Sequence, residues 1–223
     1  MANLPEGVRL MSLELVVGNY NYSSWSLRAW LSIELAGVEY QVKQVGLYQP
    51  ESSARLAAVS PARKVPVLHS PHGLVWDSLS IAEYLAEICP GANLWPADLA
   101  CRTYARSICA EMHSGFQALR ASLPMNMRRD RALESMTEDV RADIDRVCAL
   151  WRQCREKYGQ GGEFLFGSFS LADAYFAPIA SRLKSYHVQL PDDARAYVAA
   201  IHRWPAFVRW REAALKEEEI IES

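Results

Sequence analysis

Leu13-Glu14-Leu15-Val16-Val17 leads into Asn19-Tyr20-Asn21-Tyr22-Ser23-Ser24-Trp25-Ser26, and Leu27 to Ala36 leads out. The first segment is a short apolar run of the length of a buried strand. The last has apolar residues at helical spacing and meets Gly37, a favoured helix stop. The eight residues between them form a strand-to-helix loop carrying three serine hydroxyls. In α/β folds the C-terminal ends of strands and the N-termini of helices are where anion and cofactor sites are built.

Outward from this corner, residues 12–18 read as a strand and 26–36 as a helix. Glu39 to Val45 alternates as a second strand, and a crossover through a helix implies parallel pairing. Gln49 to Val59 reads as a short irregular helix, and Ser60 to Lys64 as a loop. Val65 to His69 is a strand, Ser70-Pro71-His72-Gly73 a turn, and Leu74 to Trp76 the antiparallel return. Asp77-Ser78 opens a helix with Ile81, Leu85 and Ile88 on one face, closing before Pro90-Gly91. The order β-α-β-α-β-β-α is that of a thioredoxin-like α/β domain, expected over residues 12–91. Residues 1–11 lack periodicity and read as a loose leader.

Pro90 to Pro96 reads as a linker. Beyond it no strand-like alternation returns, so residues 97–219 are expected to form an all-α C-terminal domain. One helix is expected from Asp98 to Ser122, on the spacing of Tyr104, Ile108, Met112, Phe116 and Leu119. A second long stripe runs from Met136 to Cys154, followed by a glycine-rich break at 159–162. Further helices are expected at 170–183, 192–201 and 205–216. Pro178 should kink the first of these or end a turn, and Pro205 suits an opening turn. Glu217-Glu218-Glu219 reads as a solvated, fraying end.

Bulk properties narrow the function. Half of the 223 residues are hydrophobic, and 24 basic against 26 acidic residues leave a formal charge of −2. That balance favours neither nucleic acid nor an anionic membrane as partner. No apolar run is long enough to span a bilayer and no signal-peptide pattern opens the chain, so a cytoplasmic location is expected. Five cysteines, an odd number without a CxxC, point to buried thiols in a reduced compartment. His69 and His72 flank a turn with no cysteine or carboxylate near them in sequence, so no metal site is expected.

Four motifs in register resemble the glutathione transferase family. They are Tyr22-Ser23-Ser24-Trp25-Ser26-Leu27-Arg28, Lys64-Val65-Pro66-Val67-Leu68, Trp76-Asp77-Ser78 and Ser170-Leu171-Ala172-Asp173. The loop is similar to that of the zeta class. The resemblance implies glutathione as co-substrate and a serine that donates a hydrogen bond to its sulfur. A free thiol has a pKa near 8.5, so lowering it by about two units takes roughly 2.7 kcal/mol. A hydroxyl donor and a helix N-terminus together supply part of this. The family's five-residue spacing to the helix arginine, here Arg28, favours Ser23 as that donor; a subset with four-residue spacing points to Ser24. A bare reading of the same serines is that they cap the helix.

The resemblance further implies a cis Pro66, with the backbone of Val65 pairing with the cysteinyl unit. Lys64 would reach the glycine carboxylate, and Asp77 with Ser78 the γ-glutamyl end. Trp25 joins the glutathione-binding set. Ser170 and Asp173 fit a capping box and read as structural. The second-substrate pocket is expected to be apolar and to lie between the domains, with Met112, His113, Phe116, Met125, Asn126 and Arg128 as its lining. Met112 also fits a core position, and His113 a structural histidine.

The activity so implied is transfer of glutathione to a small hydrophobic electrophile, in a homodimer, with detoxification as the role. A glutathione-dependent cis–trans isomerase of the maleylacetoacetate type is the alternative. Such isomerases usually follow the paired serines with cysteine, where this chain has Trp25. A non-catalytic binding or regulatory relative is the third reading.

Overall fold

The computed structural model describes residues 13–221. The expected leader at 1–11 and the first residue of the expected opening strand lie outside them. Four strands form one mixed sheet: β1 (Leu13–Val17), β2 (Tyr40–Gln44), β3 (Val67–Ser70) and β4 (Gly73–Val75). Their spatial order is β2-β1-β3-β4, with β1 parallel to β2 and both β1–β3 and β3–β4 antiparallel. Three helices belong to this half: α1 (Ser24–Ala36), α2 (Ser52–Val59) and α3 (Ser78–Ile88). This is the thioredoxin-like α/β order.

Local chemistry sets the boundaries. Gly37 ends α1 in the left-handed region at φ 67°, where an L side chain is strained. The Val65–Pro66 peptide is cis, as the resemblance implies. β3 begins only at Val67, after a proline that has no N–H to give to a ladder. Asp77 accepts from Leu79 N at 3.0 Å and so caps α3.

A short 3-10 turn at Pro90–Ala92 leads to the helical half: α4 (Leu99–Ser114), α5 (Gln117–Ser122), α6 (Glu138–Tyr158), α7 (Leu171–Ser185), α8 (Asp192–Arg203) and α9 (Pro205–Lys216). The single helix expected over 98–122 is two. Gly115 is extended and Phe116 left-handed at φ 58°. The new start is capped from another element, because the Asp143 carboxylate accepts from Leu119 N at 3.0 Å. Pro178 lies inside α7 without ending it, and Pro205 opens α9.

The core is continuous across both halves. Every residue of α7 from Leu171 to Leu183 is buried. α1 packs on α3 on one side and on α7 on the other. Each large apolar side chain fully buried there contributes about 1.5–3 kcal/mol, so the first turn of α1 is held by both halves at once.

The expectation of a solvated end at Glu217-Glu218-Glu219 does not hold for two of the three. The Glu217 carboxylate accepts from the N–H groups of Tyr20 at 2.6 Å and Asn21 at 2.8 Å, and also pairs with Gln44. Glu219 pairs with the Asn19 amide. The reason is complementarity: the loop turns backbone donors outward, and the tail supplies carboxylates for them.

Candidate functional site

The loop between β1 and α1 forms one wall of a cleft of about 1070 Å³ between the halves. Ser23 and Ser24 stand on that wall, 6% and 7% exposed. Ser23 is the N-cap of α1. Its Oγ accepts from Ser26 N at 3.3 Å and shares a 2.8 Å hydrogen bond with Ser26 Oγ. Ser26 Oγ also accepts from Gly18 N at 3.0 Å, which ties β1 to the helix. Ser24 is placed differently. Its Oγ accepts from Arg182 Nη2 at 3.3 Å, so its own proton is left for an acceptor in the cleft.

Across the cleft stand Lys64 and Val65, with Leu47 and Gln49 from the segment after β2. Asp77 and Ser78 are not among the lining residues. Ser78 is fully buried, with its Oγ 3.4 Å from the Tyr175 hydroxyl. The outer Asp77 oxygen is 3.0 Å from His113 Nε2. His113 thus bridges the halves, and its ring meets the edge of Trp25 with centroids 5.1 Å apart.

Of the expected second-substrate lining, Met125 is on the cleft wall. Met112 is 0% exposed and belongs to the core, as does Phe116 at the break between α4 and α5. Asn126 accepts from Arg128 N at 3.0 Å and shapes its own loop. Arg128 is engaged with the tail: it donates to the carbonyls of Glu217 and Glu219, and at 3.0 Å to the Tyr22 hydroxyl. Ile221 N donates to the same hydroxyl at 3.1 Å. Ile220 and Ile221 then line the cleft directly. That helical-half segment therefore serves partly as core, partly as clamp.

Sequence reasoning missed a group of cations. The Arg28 guanidinium lies 4.6 Å from the Trp25 ring centroid and 5.1 Å from that of Tyr175, and Arg120 lies 4.6 Å from Trp25. An indole with a guanidinium near its ring from two different helices is a cation–π arrangement. Arg120 and Arg182 line the cleft. Nε and Nη1 of both Arg28 and Arg182 are buried without a hydrogen-bond partner. Burial pushes Arg28 down to about 10, with Tyr175 pulling the other way, and burial followed by the charges of Arg28 and Arg120 pushes Arg182 down to about 9. Both remain charged at pH 7. The visible cue was Arg182, a lone charge inside Ala177-Pro178-Ile179-Ala180-Ser181-Arg182-Leu183.

No cysteine lines the cleft. Burial pushes the Cys148 thiol to about 11, Cys154 to about 12 and Cys109 well above its ordinary value. These thiols are inert packing, not nucleophiles. Among the described residues no group of three or more His, Cys, Asp or Glu is arranged to hold a metal, and no helix is long and apolar enough to cross a membrane.

A thioredoxin-like half, a helical half and a serine-bearing corner facing the cleft between them define a class of two-domain proteins. Two family models match the chain. One is described as glutathione S-transferase, N-terminal domain, and covers residues 22–88; the other, glutathione S-transferase, C-terminal domain, covers 126–213. The chain belongs to the glutathione S-transferase family. It is 36% identical over 104 residues to a probable maleylacetoacetate isomerase of Caenorhabditis elegans; these are 47% of this chain and 49% of that protein. The match thus spans about half of that relative. Two solved structures share the fold. One is a glutathione transferase homolog from Burkholderia gl BGR1 with bound glutathione, at TM-score 0.71 and 22% identity, covering 92% of this chain and 100% of that one. The other is a maleyl pyruvate isomerase, a bacterial zeta-class glutathione S-transferase, at TM-score 0.70 and 23% identity, covering 92% and 100%.

Proposed function

We propose that the protein is a glutathione transferase. Glutathione lies in the cleft with its sulfur against the opening turn of α1, and a serine hydroxyl holds that sulfur as thiolate for attack on a small electrophile. One observation carries the reading: Ser24 sits at the N-terminus of α1 with its oxygen already accepting from Arg182, so its proton is free to face the cleft. A hydrogen bond to the charged form of a group favours that form, and the helix N-terminus favours an anion at the same place. Ser23 shares the wall and supports the turn as its cap. Lys64 and Val65 bind the peptide from the opposite side. The γ-glutamyl end would have to extend past the cleft's own lining to reach Asp77 and the Ser78 backbone N–H at the start of α3, where free N–H groups suit an anion.

The test is a spectroscopic titration of bound glutathione, following the absorbance of the sulfur anion. The thiol should ionise at least one unit below its value in buffer. Ionisation as in buffer removes the catalytic reading.

A second reading is favoured by the relative named as a probable maleylacetoacetate isomerase. The cleft wall is rich in cations, with Arg63, Lys64, Arg120 and Arg182 on it, and such a wall suits a carboxylate-bearing substrate. In that case the thiolate adds to a double bond, rotation follows, and the thiolate leaves again, so glutathione is regenerated. Maleylacetoacetate with catalytic glutathione and loss of the substrate's absorbance separate the two readings. The proposal includes a cytoplasmic homodimer with a role in detoxification, on the strength of the family's habit and the reduced thiols.

A further inference from the structure

Arg182 is 5% exposed, in a run of α7 that is otherwise buried and apolar or small. Nevertheless it reaches the cleft wall. Its Nη2 donates to Ser24 Oγ at 3.3 Å, while its Nε and Nη1 meet no partner. The charged groups that face it are cations, Arg28 from α1 and Arg120 from α5, together with the phenol of Tyr186 just past α7. The groups that act on Arg28 in turn are Tyr175, Arg120, Cys109 and Asp77. Lys64 stands across the cleft. Among the described residues no carboxylate pairs with Arg182. A buried cation left without a counter-charge is costly, and packing does not require one, since an apolar side chain of similar volume would fill the space.

The three arginines are not equivalent. Arg28 lies over Trp25 and Tyr175, and Arg120 lies on Trp25 and donates to the His113 carbonyl at 3.3 Å. Of these three, Arg182 is the one that donates to a cleft serine. Because it occupies a lone pair of Ser24 Oγ, the hydroxyl hydrogen must point elsewhere, and the open side is the cleft.

We propose that Arg182 is a positioning residue for thiol activation: it turns the Ser24 proton toward the glutathione sulfur and balances the negative charge held there. This rests on the reading that glutathione binds with its sulfur at the Ser24 wall. A sulfur accepting from Ser24 lies roughly 6 Å from the guanidinium, on ordinary hydrogen-bond lengths. An opposite charge at about 4–6 Å lowers a pKa by about 1–3 units. Removing a cation raises the pKa of the acid whose anion it stabilised.

The experiment compares wild type, Arg182→Gln, Arg182→Met and Arg182→Lys between pH 5.5 and 8.5. It measures the thiolate absorbance of bound glutathione, the Kd for glutathione, and kcat/KM with a neutral aryl halide. The neutral electrophile keeps any effect on a charged substrate out of the result. Arg182→Gln and Arg182→Met should each raise the thiol pKa by at least about one unit. They should also lower kcat/KM about tenfold at acidic and neutral pH, the gap closing as the pH passes the shifted pKa. Glutathione Kd should stay within about twofold, and Arg182→Lys should restore most of the ionisation. A uniform loss of rate at every pH, or an unshifted thiol in a variant that binds glutathione, overturns the inference and leaves the transferase reading standing. A wild-type protein that binds no glutathione, or ionises it no more than buffer does, overturns that reading itself. Should the neutral variants fail to fold, Arg182→Lys carries the test through its pH profile. A point charge without the planar fork should shift the thiol by a measurable fraction of a unit, and no shift overturns the inference.

Discussion

Asp173 is fully buried at the third position of α7, and four donors converge on its carboxylate. Oδ1 accepts from Leu165 N at 3.1 Å and the Tyr197 hydroxyl at 3.1 Å. Oδ2 accepts from Ser170 N at 2.8 Å and Ser170 Oγ at 3.0 Å. Asp173→Ala removes all four acceptances. The two hydroxyls can rotate to other partners, but the two backbone N–H groups cannot. An orphaned buried donor costs about 1–3 kcal/mol, so the pair should cost about 2–6 kcal/mol. For a chain of this size each kcal/mol moves Tm by about 2–4 °C, and a central loss of about 4 kcal/mol lowers it by about 8–16 °C. Asp173→Asn retains one oxygen and should lose about half as much. The assay is thermal unfolding followed by circular dichroism at pH 7.5, with glutathione affinity measured at 20 °C on folded protein. Affinity should be unchanged, because Asp173 faces the α7 start and not the cleft. A Tm within about 3 °C of wild type would refute the capping argument. So would loss of glutathione binding in a variant that melts normally.

Burial lifts Asp173 from 3.8 to about 6 against the pull of its donors. A carboxyl with a raised folded-state pKa binds its proton more tightly in the native chain, so its contribution is fully present below about pH 4 and is lost as pH rises through about 6. Two units make about 3 kcal/mol, so the stability of wild type relative to Asp173→Asn should fall by that amount between pH 4 and 7 in urea titrations; a flat difference would count against it. Ser24→Ala should raise the bound thiol's pKa and cut turnover at least tenfold, whereas Ser23→Ala should mainly lose a helix cap, about 1 kcal/mol. The reverse pattern, read by thiolate absorbance and melting, would assign the hydrogen bond to Ser23. Arg128→Ala should speed hydrogen exchange at the amides of Tyr20 and Asn21 and expose the 217–221 segment to a Glu-specific protease, with Tm changed by less than about 2 °C. Unchanged exchange would mean that Glu217 holds the loop without help.

The first seven elements were legible because their signals are local. Strand β1, helix α1 and the stop at Gly37 lie in consecutive residues, and Pro66 and Asp77 mark their own boundaries. The break between α4 and α5 was not legible. The apolar spacing of Met112, Phe116 and Leu119 continues through a backbone that has already turned, and the group that caps the new start, Asp143, comes from α6. Spacing also could not tell a core methionine from a lining one, and Met112 proved to be core. Spacing to Arg28 favoured Ser23 over Ser24, but the tertiary contacts that set them apart are not carried by spacing: Ser26 occupies one, while Arg182, 158 residues on, occupies the other. The arginine cluster assembles from α1, α5 and α7, so no single window of sequence contains it.

The clasp between Glu217 and the amides of Tyr20 and Asn21 joins residues 197 and 196 positions apart. During synthesis the serine corner emerges 196 residues or more ahead of its fastening. The nascent chain therefore carries an unfastened corner until translation reaches the segment after α9. Contacts this remote in sequence form late, since the closure of so long a loop has to come first. A ribosome stalled before Glu217 would thus hold a product that folds around its core yet lacks the clasp on its working loop.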